Sequence, residues 1–394
     1  MKKTEVKVGI IGTGFAARFH YEALIRVYGV SVEIVGVFSP DIEERETYAE
    51  ERGLKAWDDL SLLIDSCDVI HLCTPPSTHE PLAVQVLERG KSVVVEKPFT
   101  GYYGDDPESF NGDSFDPIIG LKKACESIQR MLDAENRNPG QIFYAENWIY
   151  APAIQKEKEI LQKTGGQILW IRGEESHSGS HSPYYGIWSY SGGGSLVGKA
   201  VHPLTAALYL KSVEGITRSG KPIRPESISA RTHNLTRMDN LQDEGFIKTG
   251  YKDIEDFGVM HITFEDGTIA DIFASEIVIG GINNHMEVNA TNHRTILNIN
   301  PNDSMKTYNP IEENFKDIYV LEKIGTKQGW AQTSPDEDWY TGYYHEMESF
   351  YSCFISGEKP ESNSLLAADT ITCIYTAYAS ARNKGAEEKI PLLH

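Results

Sequence analysis

Apolar residues along the first 150 positions fall in short runs separated by amphipathic stretches. Val-Lys-Val-Gly-Ile-Ile at 6–11 reads as a strand, a helical pattern follows to about Tyr28, and Glu-Ile-Val-Gly-Val-Phe at 33–38 reads as a second strand. Strands at 68–73 and Ser92–Val95 alternate with helices near 58–65 and from about Thr78 to Glu88, where Gly90 marks the helix end. A helix from about Ile118 to Leu132, a strand at 141–147 and a helix through about Gln162 complete the series. This alternation predicts parallel βαβ units. Farther on, alternating stretches at 167–174, 228–235, 257–264, 268–277, 286–291, 294–299 and 317–323 predict antiparallel strands, with Glu265-Asp266-Gly267 as a hairpin turn.

The chain has 394 residues, too many for one hydrophobic core, so two domains are expected, 1–145 and 146–394, with a C-terminal helix packing back on the first. Its 37 basic and 57 acidic residues leave a charge of -20, which repels nucleic acid and opposes steering of an anionic substrate. The five cysteines, Cys67, Cys73, Cys125, Cys353 and Cys373, are scattered with no pair at metal-ligand spacing, which suits free thiols in a reducing compartment. The opening residues carry no apolar signal-peptide core, and no run approaches 18 apolar residues. A cytoplasmic protein with no membrane contact is therefore expected.

Directly after the first strand comes Gly12-Thr13-Gly14-Phe15-Ala16-Ala17, of the form G-x-G-x-x-A. Gly12 permits a tight turn, Gly14 lets the backbone approach a pyrophosphate, and Ala17 lets the helix pack on the sheet with its N–H groups facing the phosphates. The N-terminal domain is thus expected to be a Rossmann domain with a parallel sheet, binding a dinucleotide along Gly12, Gly14, Phe15 and Ala16. At the end of the second strand, Asp41 is placed to meet a ribose hydroxyl, Ser39 to bond either nucleotide, and Arg45 lies one helical turn on. NAD is the preferred cofactor, with NADP left open. Ligands in such sheets lie beyond the carboxyl ends of the strands, which brings Thr74, Pro75, His79, Glu96, Lys97 and Pro98 near the cofactor.

The fingerprint at Gly12, Gly14 and Ala17 with His20 after it, Thr74-Pro75 followed by His79, Gly90-Lys91 leading to Glu96-Lys97-Pro98, the glycine-rich stretch at 192–202 and Ala377-Tyr378-x-Ser380-Ala381 together resemble the Gfo/Idh/MocA family of NAD(P)-dependent oxidoreductases, which includes glucose-fructose oxidoreductase and inositol dehydrogenase. The resemblance spans nearly the whole chain. It implies a C-terminal domain with a large, open, predominantly antiparallel sheet whose exposed face builds oligomers; an uncovered sheet of that size is an aggregation hazard unless paired. It also places Lys97 between nicotinamide and substrate, beside a Pro98 that is often cis in relatives. An ammonium there can polarise a substrate hydroxyl and stabilise a developing alkoxide, though a free lysine pKa of about 10.4 would have to fall for it to act alone as base.

The resemblance also frames the second domain. Many relatives carry arginine at the end of the 141–147 strand, whereas this chain offers Asn147, which with Tyr150 could bond a neutral polyol; Tyr150 and Trp148 also read as core aromatics. Relatives typically follow a glycine-rich stretch with Asp, Gly and His at alternate positions, which maps to Gly198, Ala200 and His202. His202, with a free pKa of about 6.5, is the expected acid/base, but the carboxylate that would assist it is missing. Lys199 adds a donor that binds substrate, shares proton transfer, or faces solvent. Glu174, Glu175, His177 and His181 invite a metal reading, yet the Ser/Gly content around the histidines argues for a loop, so substrate binding by His177 and His181 is preferred and no metal is expected. Tyr343, Tyr344 and His345 precede an amphipathic helix that could border the same cleft. Residues 99–116, rich in Gly, Asp, Ser and aromatics, read as a lid, an oligomer arm or a surface insertion.

The most economical reading is a sugar or polyol dehydrogenase acting on a neutral small molecule and working as a homo-oligomer: hydride passes to NAD, His202 takes the hydroxyl proton, and Lys97 holds the oxygen, with Lys199 close by. Two alternatives stand beside it. One is NAD-dependent glycoside cleavage through transient oxidation and elimination, which would release aglycone without net NADH. The other is a non-catalytic nucleotide sensor, which the presence of both Lys97 and His202 disfavours.

Overall fold

The computed structural model describes residues 5–393 other than His181 and Pro183. Five parallel strands, β1 (Glu5–Ile11), β2 (Ser31–Phe38), β3 (Val69–Leu72), β4 (Ser92–Glu96) and β5 (Ile142–Ala145), lie in the order β2-β1-β3-β4-β5. The chain returns between them through α1 (Phe15–Leu24), α2 (Ile42–Arg52), α3 (Leu60–Asp65), α4 (His79–Glu88) and α5 (Pro117–Arg137). Every residue of β3, β4 and β5 is buried, because helices cover both faces of a parallel sheet. Caps set the helix starts: Asp41, Asp59 and Asp116 accept backbone N–H bonds at the heads of α2, α3 and α5, and Pro117 occupies the first turn where no N–H is needed. α1 stops at Leu24, one turn short of the predicted Tyr28.

The second sheet comprises β6 (Ile168–Ser176), β7 (Pro225–His233), β8 (Phe257–Phe264), β9 (Ile269–Ser275), β10 (Asn283–Ala290), β11 (Arg294–Asn300) and β14 (Glu388–Lys389), in the order β11-β10-β6-β9-β8-β7-β14. All neighbours are antiparallel except β6 and β9, which run parallel and make the sheet mixed. The hairpin turn falls where predicted, with Gly267 at φ +78° between β8 and β9. The remaining helices are α6 (Pro152–Thr164), α7 (Trp188–Ser191), α8 (Val201–Ser219), α9 (Glu337–Tyr340), α10 (Tyr343–Ser356) and α11 (Ser364–Arg382). α8 packs on β6, and α11 packs on β7, α8 and α5, so the last helix joins the second sheet to the first domain.

Two expectations need correction. Residues 317–323 form no strand: Ile318 and Tyr319 face solvent, Val320 and Leu321 are buried, and Lys323 adopts φ +57°, a left-handed conformation that no strand accommodates. A separate pair, β12 (Lys306–Asn309) and β13 (Gly329–Gln332), went unpredicted because four residues are too few to show an alternation. Residues 99–116 are irregular but tied down. The Tyr102 N–H donates to Tyr375 Oη at 2.6 Å, the Gly112 N–H donates to Asp253, Asp113 pairs with both terminal nitrogens of Arg237, and Phe115 packs on Trp188.

Candidate active site

The turn between β1 and α1 fits a dinucleotide. Gly12 sits at φ +103°, and a Cβ there would overlap the Cys73 carbonyl at the end of β3, so only glycine serves. Gly14 heads α1, where a Cβ would meet nothing within 4 Å, leaving open ground in front of the helix N-terminus. Phe15 is exposed, Ala16 half-buried and Ala17 buried against the sheet. Beside them lies a pocket of about 650 Å³ bordered by Thr13, Arg18, Asp41, Glu44 and Arg52 among others. Asp41 at this rim also caps α2 by accepting the Glu44 N–H at 2.9 Å. Ser39 is buried, and Arg45 turns inward to Ser39 O and Asp58.

The carboxyl ends of β3 and β4 are locked together. His79 is fully buried with ring nitrogens 2.9 Å from Pro98 O and 3.1 Å from Thr74 O, which holds the Thr74-Pro75 loop against the cis Lys97–Pro98 turn. Burial lowers the His79 pKa although both carbonyls oppose this, so a neutral ring donates to one carbonyl at a time. Glu96 accepts the Lys97 N–H at 2.9 Å and lies 3.0 Å from His20 Nε2. Burial disfavours its charge, but the His20 hydrogen bond and charge, with Lys97 nearby, outweigh that and hold the carboxyl below its usual range. His20 continues to His71 at 2.7 Å and His71 to Tyr351 Oη at 2.7 Å, a buried chain behind the lysine.

Lys97 Nζ reaches across to Gly198 O at 3.4 Å, and this contact joins the end of β4 to the glycine-rich segment of the second domain. That segment is clamped by Glu255, whose carboxylate accepts the Gly194 and Leu196 N–H groups at 3.0 and 2.9 Å and the Tyr378 hydroxyl at 2.8 Å. Leu196–Ala200 then winds as a π-helix into α8, a form often found at functional sites. Position 198 is glycine for a local reason: a Cβ there would lie 2.7 Å from the Tyr185 ring, so no carboxylate fits. The carboxylate comes instead from Glu146, one residue beyond β5. Its Oε1 lies 2.6 Å from His202 Nδ1, while the His202 ring stacks on Trp148 and points Nε2 toward Glu175 Oε2, 3.8 Å away. Glu146 was missed because no motif marks it; its nearest signal was its place at a strand end.

Lys199 does not face solvent. It is buried, with Nζ 2.9 Å from Ser180 Oγ and 3.3 Å from Glu276 Oε1. His177, also buried, receives the Gly179 N–H and lies 3.5 Å from Glu276 Oε2. Lys323, which sequence reasoning passed over inside its expected strand, donates to Gly179 O at 2.9 Å and places Nζ 3.1 Å from His177 Nε2. Burial, then the Lys199 charge, lowers its pKa to about 8. Glu174 instead leans toward Arg172 at 3.9 Å. His181 lies outside the described residues.

Asn147 and Tyr150 are engaged elsewhere. The Asn147 amide donates to Thr341 O at 2.7 Å, and the Tyr150 hydroxyl accepts the Ser362 N–H while its ring packs on Phe350. Tyr343 stacks on Phe19 of α1, which ties α10 to the nucleotide-binding turn; Tyr344 lies under Arg26, and His345 packs on Trp339. Among the described residues no three His, Cys, Asp or Glu side chains gather as metal ligands, and no helix is long and apolar enough to cross a membrane.

Comparison with known proteins agrees with this architecture. Residues 6–106 match the profile of the oxidoreductase family with NAD-binding Rossmann fold, Gfo/Idh/MocA. The chain is 30% identical over 95 residues to UDP-N-acetylglucosamine 3-dehydrogenase of Acidithiobacillus ferrooxidans, covering 24% of this chain and 29% of that protein. It is 24% identical over 326 residues to levoglucosan dehydrogenase of Pseudarthrobacter phenanthrenivorans, covering 76% of this chain and 75% of that one. The chain thus spans under a third of the length of the first of these relatives. The crystal structure of GenD2 from gentamicin A biosynthesis in complex with NAD shares the fold over 98% of this chain and 97% of its own, with TM-score 0.78 and 21% identity. Residues 6–106 thus match the NAD-binding Rossmann domain of the Gfo/Idh/MocA oxidoreductase family, and the parallel sheet followed by the mixed second sheet is the fold shared with GenD2.

Proposed function

We propose that the protein oxidises a secondary hydroxyl of a neutral sugar, inositol or glycoside with NAD as the acceptor. The observation that carries this reading is the 3.4 Å contact from Lys97 to Gly198 O, which brings the end of β4 to the segment that leads into the Glu146–His202 pair, with Lys199 next in the chain. When bound along the β1–α1 turn, the nicotinamide cofactor supplies the hydride acceptor. Glu146 accepts from His202 Nδ1–H, which fixes the tautomer and leaves Nε2 to take the hydroxyl proton. Lys97 polarises the same oxygen and stabilises the charge that develops on it. Lys199, held by Glu276, donates in this reading to a neighbouring substrate oxygen.

A neutral substrate is supported by the net charge of -20 and by Asn147 at the strand end where the family resemblance leads one to expect arginine. The name of levoglucosan dehydrogenase, similar to this chain over 326 residues, points the same way, whereas UDP-N-acetylglucosamine 3-dehydrogenase is named for an anionic nucleotide sugar. NAD over NADP is supported by the pocket rim, where Asp41, Glu43, Glu44 and Glu51 outnumber Arg18 and Arg52 and would repel a 2′-phosphate. Purified protein screened against sugars, inositols and glycosides with NAD and NADP is expected to form NADH and a keto product. Lys97→Ala and His202→Ala should each lower kcat/KM by at least about 100-fold. Undiminished turnover in the double variant, or no turnover with any polyol, would sink the reading.

A further inference from the structure

His202 is bounded by two carboxylates, and only one is used. Glu146 occupies Nδ1, whereas Glu175 Oε2 stands 3.8 Å from Nε2, beyond hydrogen-bond length. The Glu175 side chain is only 9% exposed, and its Oε2 has no hydrogen-bond partner among the described residues. A buried carboxylate oxygen without a donor is costly and calls for an explanation. Gly173 and Glu175 share one side of β6, the side that faces α8, and His177 directly follows the strand. Gly173 abuts Pro203 of α8, and His177 meets Lys323 and Glu276.

Resting on the proposed oxidation at His202, we infer that Glu175 binds the hydroxyl adjacent to the one oxidised, so that the substrate is a vicinal diol with both hydroxyls free. The spacing suits this ligand. Oxygens on neighbouring carbons in a gauche arrangement stand about one hydrogen-bond length apart, so one can donate to Nε2 while its neighbour donates to Oε2 across the 3.8 Å gap. A carboxylate only accepts, so a methyl ether, a deoxy carbon or a ketone at the neighbouring position leaves Oε2 unpaired. Glu175 thereby sets specificity, while His202 handles the proton.

The test needs no knowledge of the natural substrate. cis-1,2-Cyclohexanediol, 1,3-cyclohexanediol and cyclohexanol are titrated into the NADH-loaded protein while the ring nitrogens of His202 are followed by NMR. The 1,2-diol should bind about tenfold or more tightly than the other two, the gain from one hydrogen bond to a charged acceptor. In Glu175→Gln, a near-isosteric change whose fold is checked by circular dichroism, that preference should shrink severalfold, and in Glu175→Ala it should vanish. Equal affinities for the three probes in the wild-type protein, or a preference unchanged in Glu175→Ala, overturns the inference. Absence of sugar turnover would instead count against the proposed oxidation, because the isomer comparison is a binding measurement.

Discussion

Glu146 and Gly198 explain each other at the scale of single residues. Tyr185 fills the space that a side chain at 198 would need, and Glu146 reaches His202 Nδ1 at 2.6 Å. A carboxylate in this position orients the imidazole and steadies the imidazolium, so its removal should fall on kcat more than on KM. Glu146→Ala is expected to lower kcat by about 100-fold with KM within a few-fold of wild type, as read by steady-state kinetics on the sugar found by screening. A large rise in KM at unchanged kcat would show that Glu146 binds substrate instead. Lys97 and His202 were legible in the sequence because their motifs are local. Glu146 was not, because its partner lies 56 positions away and meets it only where the turn that follows β5, residues 147–150, packs against α8.

The glycine-rich segment and its clamp show the same logic for an element. Glycine makes residues 192–194 pliable, and Glu255 removes that freedom by taking two of the segment's N–H groups while Tyr378 donates a third bond. Burial pushes the Glu255 carboxyl up from 4.5 to about 7, against donors that favour its charged form. The folded chain therefore binds this proton more tightly than the unfolded chain does. The resulting stabilisation is complete below about pH 4.5 and is lost as pH rises through about 7, on the order of 3 kcal/mol in all. Urea unfolding from pH 4.5 to 7.5 should show a flatter pH dependence in Glu255→Gln than in the wild type; identical slopes would show that Glu255 does not titrate there. Periodicity revealed β1–β5 and most of the second sheet because burial imprints it. It failed at 317–323, where alternating side chains serve a loop that delivers Lys323 to His177.

On the whole molecule, the outer face of the second sheet mixes apolar and charged groups. Trp170 donates to Asp271 at 2.8 Å, Arg172 lies over Phe273, Arg294 pairs with Glu287, and Ile296 is 54% exposed. Apolar area crossed by ion pairs suits a wet contact between copies, the homo-oligomer expected from the sequence. Light scattering should give a mass that is a multiple of 44.0 kDa, and Ile296→Glu should shift it toward the single chain without changing the circular dichroism spectrum. A wild-type mass of one chain would rule the oligomer out. The sequence by itself determined the parallel nucleotide-binding sheet, the fingerprint turn and the candidacy of Lys97 and His202, since hydrophobic period, glycine placement and short motifs act over neighbouring residues. Only the tertiary structure decided the parallel pairing of β6 with β9, the burial of Lys199 on Glu276, the removal of Tyr150 to the core, and the meeting of His202 with Glu146 and Glu175. Each of these joins segments far apart in the chain, and such meetings are fixed by how strands and helices pack, which no local pattern records.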